Sequence, residues 1–486
     1  MTATAPPTAI SARSTAGDTA IARSARWIVA RPATVFVVLS MLFGLIVIAL
    51  NPPLRGPDEP AHLLRSYGYA GGEILPGGQA DGRKGLHVPA AWNDGVEFYN
   101  ARQLRFWNDK AGYTGHLAEY RRQQAAIPTN DDRPPALRLY EGSEAYTPVA
   151  YLPYIAAGLI ARLAAFDFLT TIYLMRLFGL VAMTAVAAHA IALTPRLKWA
   201  FVLIAMMPAS LYGRTVVSAD GATVSFAMMV TALCLRGACG LPSSAWRRAG
   251  WMLLCVLAKP PQIAFVLLEA MVRRWREWPR EWKAAALVVL PGVVLSPLWI
   301  VAVSGEMAAW RIVATTGLPA EQFDPVWKLG FMLQHPLQFP YAMLNTLGTE
   351  WFGLGRQLIG VLGWLDMLLH PIAYPLISAA LIAVALERLN LDRPTRLRLA
   401  LVSAVTVVAY TTAVYMILYI TWTPPQEATV WGVQGRYSVP VLPALAVMIA
   451  AIVNWGFGDT TRAGIAIVGA FGSGIACIES LWRHLW

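Results

Sequence analysis

The chain has 486 residues, of which 57% are hydrophobic and 14% charged, and its mean hydropathy is +0.50. This composition excludes an ordinary soluble domain and indicates apolar helices that cross a bilayer repeatedly. The net charge of +11 does not indicate nucleic-acid binding, because basic residues cluster at the ends of apolar segments, as in Arg247-Arg248 and Arg393 to Arg398. The four cysteines show no metal-ligand spacing, so neither a disulfide framework nor a zinc site is expected.

An apolar run from about Thr34 to Leu50 follows a tail, residues 1–32, that contains arginines and is placed in the cytoplasm by the positive-inside rule. The competing interpretation is a signal peptide, which is disfavoured because Asn-Pro-Pro follows the run instead of a small-residue cleavage site. Residues 51–146 then hold twelve of the 28 acidic residues together with Gly, Pro and aromatic residues. This is the composition of a folded polar loop, and we expect a large first extracytoplasmic loop there.

The next apolar segment, residues 147–163, is broken by Pro148 and Pro153, and we expect it to lie along the membrane rather than cross it. Two half-length helices that meet at Lys259, before Pro-Pro, would let the basic clusters on either side of them both lie in the cytoplasm. Full spans are predicted over residues 172–193, 198–218, 220–236, 284–303, 371–386, 399–420, 439–452 and 463–481.

The predicted fold class is therefore an all-α polytopic membrane protein, with residues 33–486 forming one transmembrane domain. Its second extracytoplasmic region is residues 305–369, which include Glu306 and Arg311. A further external loop precedes the span over 439–452 and contains Arg436.

Two adjacent carboxylates, Asp58 and Glu59, directly follow the first span. Carboxylates at the boundary between membrane and water can accept a proton from a hydroxyl group, which makes both residues candidate catalytic bases. The alternative is a helix cap, because Asp is a good N-cap residue and Pro60 suits a first helical turn.

The predicted topology puts Asp58, Asp220 and Arg436 on the same external side. Energy-rich nucleotides are absent there, so an enzyme that works on sugars must use a donor carried across the membrane, commonly a polyprenyl-phosphate sugar. A carboxylate can deprotonate the acceptor hydroxyl while a guanidinium holds the departing phosphate. The expected chemistry is glycosyl transfer with inversion.

Several short motifs together resemble a bacterial membrane family catalogued as a domain of unknown function, and more distantly the GT-C glycosyltransferases. They are Pro57-Asp-Glu-Pro-Ala-His62, Tyr146-Thr-Pro-Val-Ala-Tyr-Leu-Pro153, Ser218-Ala-Asp220, Lys259-Pro-Pro261, Gly363-Trp-Leu-Asp366 and Gln434-Gly-Arg-Tyr437. The resemblance implies a GT-C-like helical bundle in which an acidic residue of the first external loop is essential. Asp58 matches that position and is assigned as base, with Glu59 orienting it or exchanging roles with it.

The resemblance and the charges suggest further roles. Arg436 is expected to bind the lipid phosphate, unless it is a snorkelling interfacial arginine. Lys259 and Arg356 are further candidates for the phosphate, and Lys259 could equally end a helix. Three residues are candidates for acceptor binding or for structural roles: Asp220, Glu350 and Tyr437. His62 is expected to be a packed or hydrogen-bonded helix residue rather than a ligand.

No metal-binding residue is assigned, because the first loop has no Asp-x-Asp pair; a divalent metal is left open but not favoured. The expected partners are a polyprenyl-phosphate sugar donor, a glycan or lipid acceptor and membrane lipids, with no nucleic acid. The expected location is the bacterial inner membrane, with the active site on its extracytoplasmic side.

Two other classes of function stay open. A transporter or flippase for lipid-linked saccharides would also contain broken helices, but it should carry internal repeats, and none is clear. A scaffold for envelope assembly could use the aromatic residues of the first loop to bind a partner: Trp92, Phe98, Tyr99, Phe106 and Trp107.

Overall fold

The computed structural model describes residues 29–77, 84–102, 112–127, 132–140, 142–273, 277–304 and 316–486. The predictions for most of the N-terminal tail, for Phe106 and Trp107, and for Glu306 and Arg311 lie outside these residues. The described chain is mostly helical, and seven of its helices are long and apolar enough to cross a membrane.

The first span, α1, covers Pro32–Leu50 and has a mean hydropathy of 2.8. Pro32 suits the first turn because its missing N–H would have no helical partner there. Asn51-Pro-Pro stops the helix, and the chain then enters the region predicted as the first external loop. Its elements are α2 (Glu59–Ala70), β1 (Gly85–Val88), α3 (Ala90–Arg102), α4 (Gly112–Ala125) and β2 (Ala136–Leu139).

Strands β1 and β2 pair antiparallel, with Gly85 opposite Leu139 and Val88 opposite Ala136. Arg138 on β2 hydrogen-bonds Asn93 and forms an ion pair with Glu97, both on α3. The described chain is mostly helical, so this short sheet is an addition to the predicted all-α class rather than a different class. A short sheet organises a region whose polar, Gly-rich sequence gave no clear alternation of apolar and polar residues.

A 3₁₀ turn (Pro148–Tyr151) leads into α5 (Leu152–Leu163), which is too short to span a bilayer, as predicted. Helix α6 (Phe168–Leu193) begins where the Asp167 carboxylate accepts a hydrogen bond from the Thr170 amide at 2.7 Å. The single span predicted over 198–218 is two helices, α7 (Lys198–Met206) and α8 (Pro208–Thr215). Pro208 explains this break, since its ring cannot continue a helix interior.

Helix α9 (Asp220–Ala238) is the most buried of the seven candidate spans in the described chain, with 83% of its most apolar stretch inside the protein. The predicted pair of half-length helices is confirmed as α10 (Ala245–Ala258) and a 3₁₀ segment (Pro260–Met271). Lys259 between them is extended (φ −157°, ψ 135°), the conformation that a following proline favours.

The remaining elements complete the bundle, and the 3₁₀ segments Ala320–Phe323 and Gly435–Val441 lie among them. In chain order the others are α11 (Trp278–Ser304), α12 (Pro325–Gln334), α13 (Gln338–Ile359), β3 (Val361–Leu362), β4 (Met367–Leu368), α14 (Ala373–Ala385), α15 (Arg393–Thr421), α16 (Leu442–Val453) and α17 (Asp459–Leu485).

The hairpin of β3 and β4 is fastened to the start of the first-loop region. Its turn residue Asp366 accepts an ion-paired hydrogen bond from buried Arg55 at 2.6 Å, and the Trp364 indole donates to the Leu54 carbonyl at 3.2 Å. The Gly363-Trp-Leu-Asp366 motif therefore positions the segment that carries Asp58.

Candidate functional site

Four charged side chains from four separate segments meet in one cluster: Asp58, Asp220, Lys259 and Arg436. The Arg436 guanidinium donates from Nη1 to Asp220 at 2.6 Å and from Nη2 to Asp58 at 3.0 Å. Lys259 Nζ lies 3.9 Å from the other Asp220 oxygen. We call this set the charge cluster. It contains two carboxylates and two cationic side chains, so its net charge is zero when all four are ionised.

Asp58 is the most exposed member of the charge cluster. Its side chain is 52% exposed, whereas the other three are at most 20% exposed. Asp58 occupies the N-cap position of α2 with a left-handed φ of 53°, a conformation that Asp tolerates better than most residues. Its carboxylate makes no capping hydrogen bond and reaches Arg436 instead. The side chain is therefore directed at the cluster, although the backbone position is that of a cap.

Glu59 has a different environment from its neighbour. It is fully buried, and Arg176 on α6 binds its two oxygens at 2.8 and 2.7 Å. The same oxygens accept from the amides of Val217 and Gly56 at 3.0 and 2.9 Å. This placement departs from the expectation that Glu59 exchanges roles with Asp58, since both oxygens are engaged and neither faces solvent.

Arg176 also donates to the carbonyls of Asn51 and Pro52, at 2.6 and 2.7 Å. One buried guanidinium thus holds the chain where it leaves α1 and again at the start of α2. Asp58 lies between these two attachments, so its backbone is fixed relative to α6.

Asp220 is the first residue of α9, and its amide donates to Ser218 Oγ at 3.3 Å. The N-cap position of α9 belongs to the preceding residue, Ala219, so Asp220 is not the cap residue of this helix. Its carboxylate instead contacts both cations of the cluster.

The Gln434-Gly-Arg-Tyr437 motif positions Arg436 through close backbone contact with α13. A Cβ on Gly435 would lie 1.9 Å from the Leu354 carbonyl oxygen, so only glycine fits there. The Gln434 side-chain carbonyl accepts from Arg436 Nε at 2.5 Å, which orients the guanidinium. The Tyr437 ring lies 3.9 Å from Lys259 Nζ, a cation–π contact that places the ammonium beside the cluster.

His62 lies behind the cluster and is 5% exposed. Its Nδ1 lies 2.6 Å from the Tyr151 hydroxyl, and its ring packs edge-on against Tyr146 at 5.1 Å. Burial lowers the pKa of His62 to about 4, because an imidazolium would lose its hydration there. The ring is therefore neutral near pH 7, in agreement with the predicted packed, hydrogen-bonded residue.

A cleft of about 320 Å³ opens beside the charge cluster. Its lining includes polar side chains, among them Asp58, Lys259, Gln434 and Tyr437. It also includes a set of mainly apolar side chains from α15 and other segments: Phe323, Pro325, Val414, Ile417, Leu418 and Trp422. A ligand with a charged head and a hydrocarbon tail suits such a lining.

A second carboxylate, Glu144, also lines this cleft, and sequence reasoning did not single it out. It is 5% exposed, and its Oε2 accepts from the Gly142 amide at 2.7 Å. The one feature of the sequence that pointed to Glu144 is its position two residues before the motif that begins at Tyr146. Gln434 was noted only as part of its motif, and the sequence did not predict its contact with Arg436.

Two predicted site residues do not join the cluster. The Arg356 guanidinium on α13 lies over the rings of Tyr374 and Phe352, 5.2 and 5.7 Å from their centres. Glu350 is exposed on the same helix. Neither residue lines the cleft. Within the described ranges no three His, Cys, Asp or Glu side chains are grouped as metal ligands would be.

A larger groove of about 610 Å³ lies between α14 and α17, away from the charge cluster. Its lining is almost entirely aliphatic or glycine, with His370 and Glu479 as the polar exceptions. A groove of this composition on two apolar helices offers space for hydrocarbon chains and no constellation for chemistry.

A family model for predicted membrane proteins, DUF2142, matches residues 41–445, and this match includes every member of the charge cluster. The chain belongs to the DUF2142 family. No curated protein and no solved structure matches it significantly. Membership of DUF2142 agrees with a multi-pass membrane protein.

In this DUF2142 chain the charge cluster provides an exposed carboxylate next to two cations. Such a carboxylate can accept a proton, and the cations can bind an anionic group. Asp58 and Lys259 line the cleft, and Arg436 contacts Asp58. Asp58 is the carboxylate that a ligand phosphate can replace at Arg436, because its half-exposed side chain can be solvated once it is released.

Proposed function

We propose that this protein is an inverting glycosyltransferase that moves a sugar from a polyprenyl-phosphate donor to an envelope glycan or lipid acceptor on the extracytoplasmic side. The observation that carries the proposal is that exposed Asp58, which contacts Arg436, lines a cleft together with Lys259 and a set of apolar side chains. A base, a phosphate site and a surface for an isoprenoid chain would then adjoin one another.

The reaction is a single displacement. Asp58 accepts the proton of the acceptor hydroxyl as its oxygen attacks the anomeric carbon of the donor sugar. The bond between that carbon and the phosphate oxygen breaks, and the electron pair leaves with the polyprenyl phosphate. Because attack and departure occur on opposite faces of the carbon, its configuration is inverted.

The leaving phosphate gains negative charge as this bond breaks, and Arg436 and Lys259 are placed to stabilise it. Their side chains are only 10% and 12% exposed, so their field is less screened than in bulk water. The guanidinium offers a planar fork that matches two phosphate oxygens.

Arg436 is engaged by both aspartates before a donor binds. Its contact with Asp220 is shorter and less exposed than its contact with Asp58. A donor phosphate would therefore displace Asp58 from Nη2 more readily than Asp220 from Nη1. Donor binding would then release the Asp58 carboxylate at the moment when the base is required.

The apolar residues of the cleft lining support a lipid-linked donor rather than a free sugar phosphate. Val414, Ile417 and Leu418 belong to α15, one of the seven candidate spans, so the cleft is lined in part by a helix apolar enough to lie in the bilayer. An isoprenoid chain could lie along it while the head group reaches the charge cluster.

The test is mass spectrometry of lipids that copurify with the full-length protein, followed by transfer of labelled sugar in proteoliposomes from any polyprenyl-phosphate sugar so identified. We expect bound donor in the parent protein and in Asp58→Asn, with transfer only by the parent. The proposal fails if no polyprenyl-phosphate lipid is bound, or if labelled donor crosses the bilayer with its sugar still attached. The latter result would assign a flippase.

A further inference from the structure

The transmembrane core contains a buried arginine whose surroundings differ from those of its peers. Four arginines are among the largest fully buried side chains: Arg55, Arg65, Arg176 and Arg214. Arg55 and Arg176 form ion pairs with Asp366 and Glu59, and Arg65 donates to the carbonyls of Glu73 and Ile74. No ion pair found among the described residues includes Arg214, on α8.

The contacts of Arg214 account for only part of its hydrogen-bonding capacity. Nη2 donates to the Ser40 hydroxyl on α1 at 3.2 Å, and the guanidinium lies 5.3 Å from the centre of the Phe36 ring. Within the described part of the chain, Nε and Nη1 have no hydrogen-bond partner, although both atoms are buried. A guanidinium cannot shed its proton at physiological pH, so its charge persists in the core.

The Ser40 hydroxyl, which contacts this guanidinium, is joined by two further buried hydroxyls. Ser40 Oγ lies 2.8 Å from Thr184 Oγ1 on α6, and both residues are at most 2% exposed. Ser210 lies one turn before Arg214 on α8, the spacing that places two side chains on one helix face. Its buried hydroxyl also lacks a hydrogen-bond partner within the described residues.

We propose that Arg214, with the hydroxyls of Ser40 and Ser210, binds a small monovalent anion of the chloride class inside the bundle. The group supplies hydrogen-bond donors and a positive charge, so it selects an anion rather than a cation. An isolated charge in a membrane core costs several kcal/mol or more, and a bound anion offsets this in a way that water alone cannot.

The helices that carry the site pack closely against their neighbours. A Cβ on Gly44 of α1, one turn after Ser40, would lie 2.5 Å from the Leu180 side chain on α6, and one on Gly474 of α17 would lie 2.3 Å from the Phe43 ring. Between such helices a monoatomic ion needs less space than sulfate or phosphate does. The site shares no side chain with the charge cluster, and its anion would stabilise the bundle rather than take part in transfer.

The experiment uses purified full-length protein freed of halide and measures thermal unfolding during titration with sodium chloride, sodium bromide or sodium gluconate at constant ionic strength. We expect chloride and bromide to raise the unfolding temperature by several degrees and to saturate, whereas gluconate should have no such effect. Arg214→Met should abolish the halide response. Ser210→Ala should shift its midpoint to higher halide concentration, since one donor is lost.

The matched control is Arg248→Met, which removes a different buried arginine whose partner is Glu269. This variant should be less stable than the parent but keep the halide response. If Arg214→Met does not fold, Arg214→Lys serves in its place and should show a weakened response. The proposal is overturned if halides act no differently from gluconate, or if the Arg214 variants respond as the parent does.

Discussion

Arg436 and Asp58 are 378 positions apart in sequence, yet the guanidinium of one lies 3.0 Å from the carboxylate of the other. This contact joins the segment after the first span to the one before α16. Asp220 holds the opposite side of the same guanidinium at 2.6 Å. One guanidinium therefore binds both aspartates at once, through different nitrogens, and substitutions at Asp58 and Arg436 test different functions of the charge cluster.

Asp58→Asn tests the base. Asparagine keeps the shape of the side chain and tolerates the left-handed backbone, but it cannot accept the proton. We expect sugar transfer to fall by about 10²–10⁴-fold while thermal unfolding and donor binding change little. Asp94→Asn is the matched control, since Asp94 pairs with Arg133 outside the cleft. Transfer by Asp58→Asn at the parental rate would show that this carboxylate is not the base.

Arg436→Ala and Arg436→Lys test the phosphate site. Lysine keeps the charge but loses the planar fork, so it should retain part of the activity, whereas alanine should lose about 10²–10³-fold and bind less donor. Labelled donor retained by purified protein provides the binding measurement. Arg356→Ala serves as control because Arg356 lies over aromatic rings away from the cleft, and it should behave like the parent. Equal donor binding by Arg436→Ala and the parent would remove Arg436 from the site.

Glu59→Gln tests the structural role of the buried pair. The substitution leaves the Arg176 charge buried without its partner, so stability should fall by about 3–5 kcal/mol. The double variant Glu59→Gln/Arg176→Gln should lose less than the sum of the two single variants, since both charges are then removed. Thermal unfolding in detergent measures this. A variant with parental stability but no transfer would instead support the chemical role first expected for Glu59.

Much of the helical layout could be predicted from the sequence, because the length and hydropathy of a segment decide whether it can cross a bilayer. It also located the break at Lys259, where Pro-Pro leaves few alternatives to an extended residue. Pro208 indicated the break in the span predicted over 198–218, but hydropathy averaged over many residues conceals a single proline. No sequence signal indicated the β1–β2 sheet, since its short strands show no clear alternation of apolar and polar residues.

The candidate site was harder to predict because its contacts are long-range. Hydropathy could group Asp58, Asp220 and Arg436 on one side, but it could not pair them. The burial of Glu59 could have been predicted more easily from the sequence. Arg176 lies within an apolar span, where a charge requires a partner, and the acids at the ends of neighbouring spans were the candidates. The contact between Arg436 and Asp58 depends on how α13 supports Gly435, which only the packed structure reveals.

Cysteine labelling tests which side of the membrane holds the charge cluster. Leu75 is 55% exposed in the first-loop region, and Ser244 is exposed between α9 and α10. In a background without native cysteines, Leu75→Cys should react in intact cells with a thiol reagent that cannot cross the inner membrane. Ser244→Cys should react only after the cells are lysed. The reverse pattern would place the cluster in the cytoplasm and remove the case for a donor carried across the membrane.

His62 predicts a pH dependence of stability. Its pKa is lowered to about 4 in the folded protein and returns to about 6.5 in the unfolded chain, so the unfolded state binds more protons between these values. Stability should therefore be full above about pH 6.5 and fall by up to about 3 kcal/mol as the pH drops toward 4. His62→Gln cannot titrate but can hydrogen-bond the Tyr151 hydroxyl, so this loss should be absent from its unfolding free energy. Parallel stability curves for the parent and His62→Gln across that range would show that His62 is protonated equally in both states.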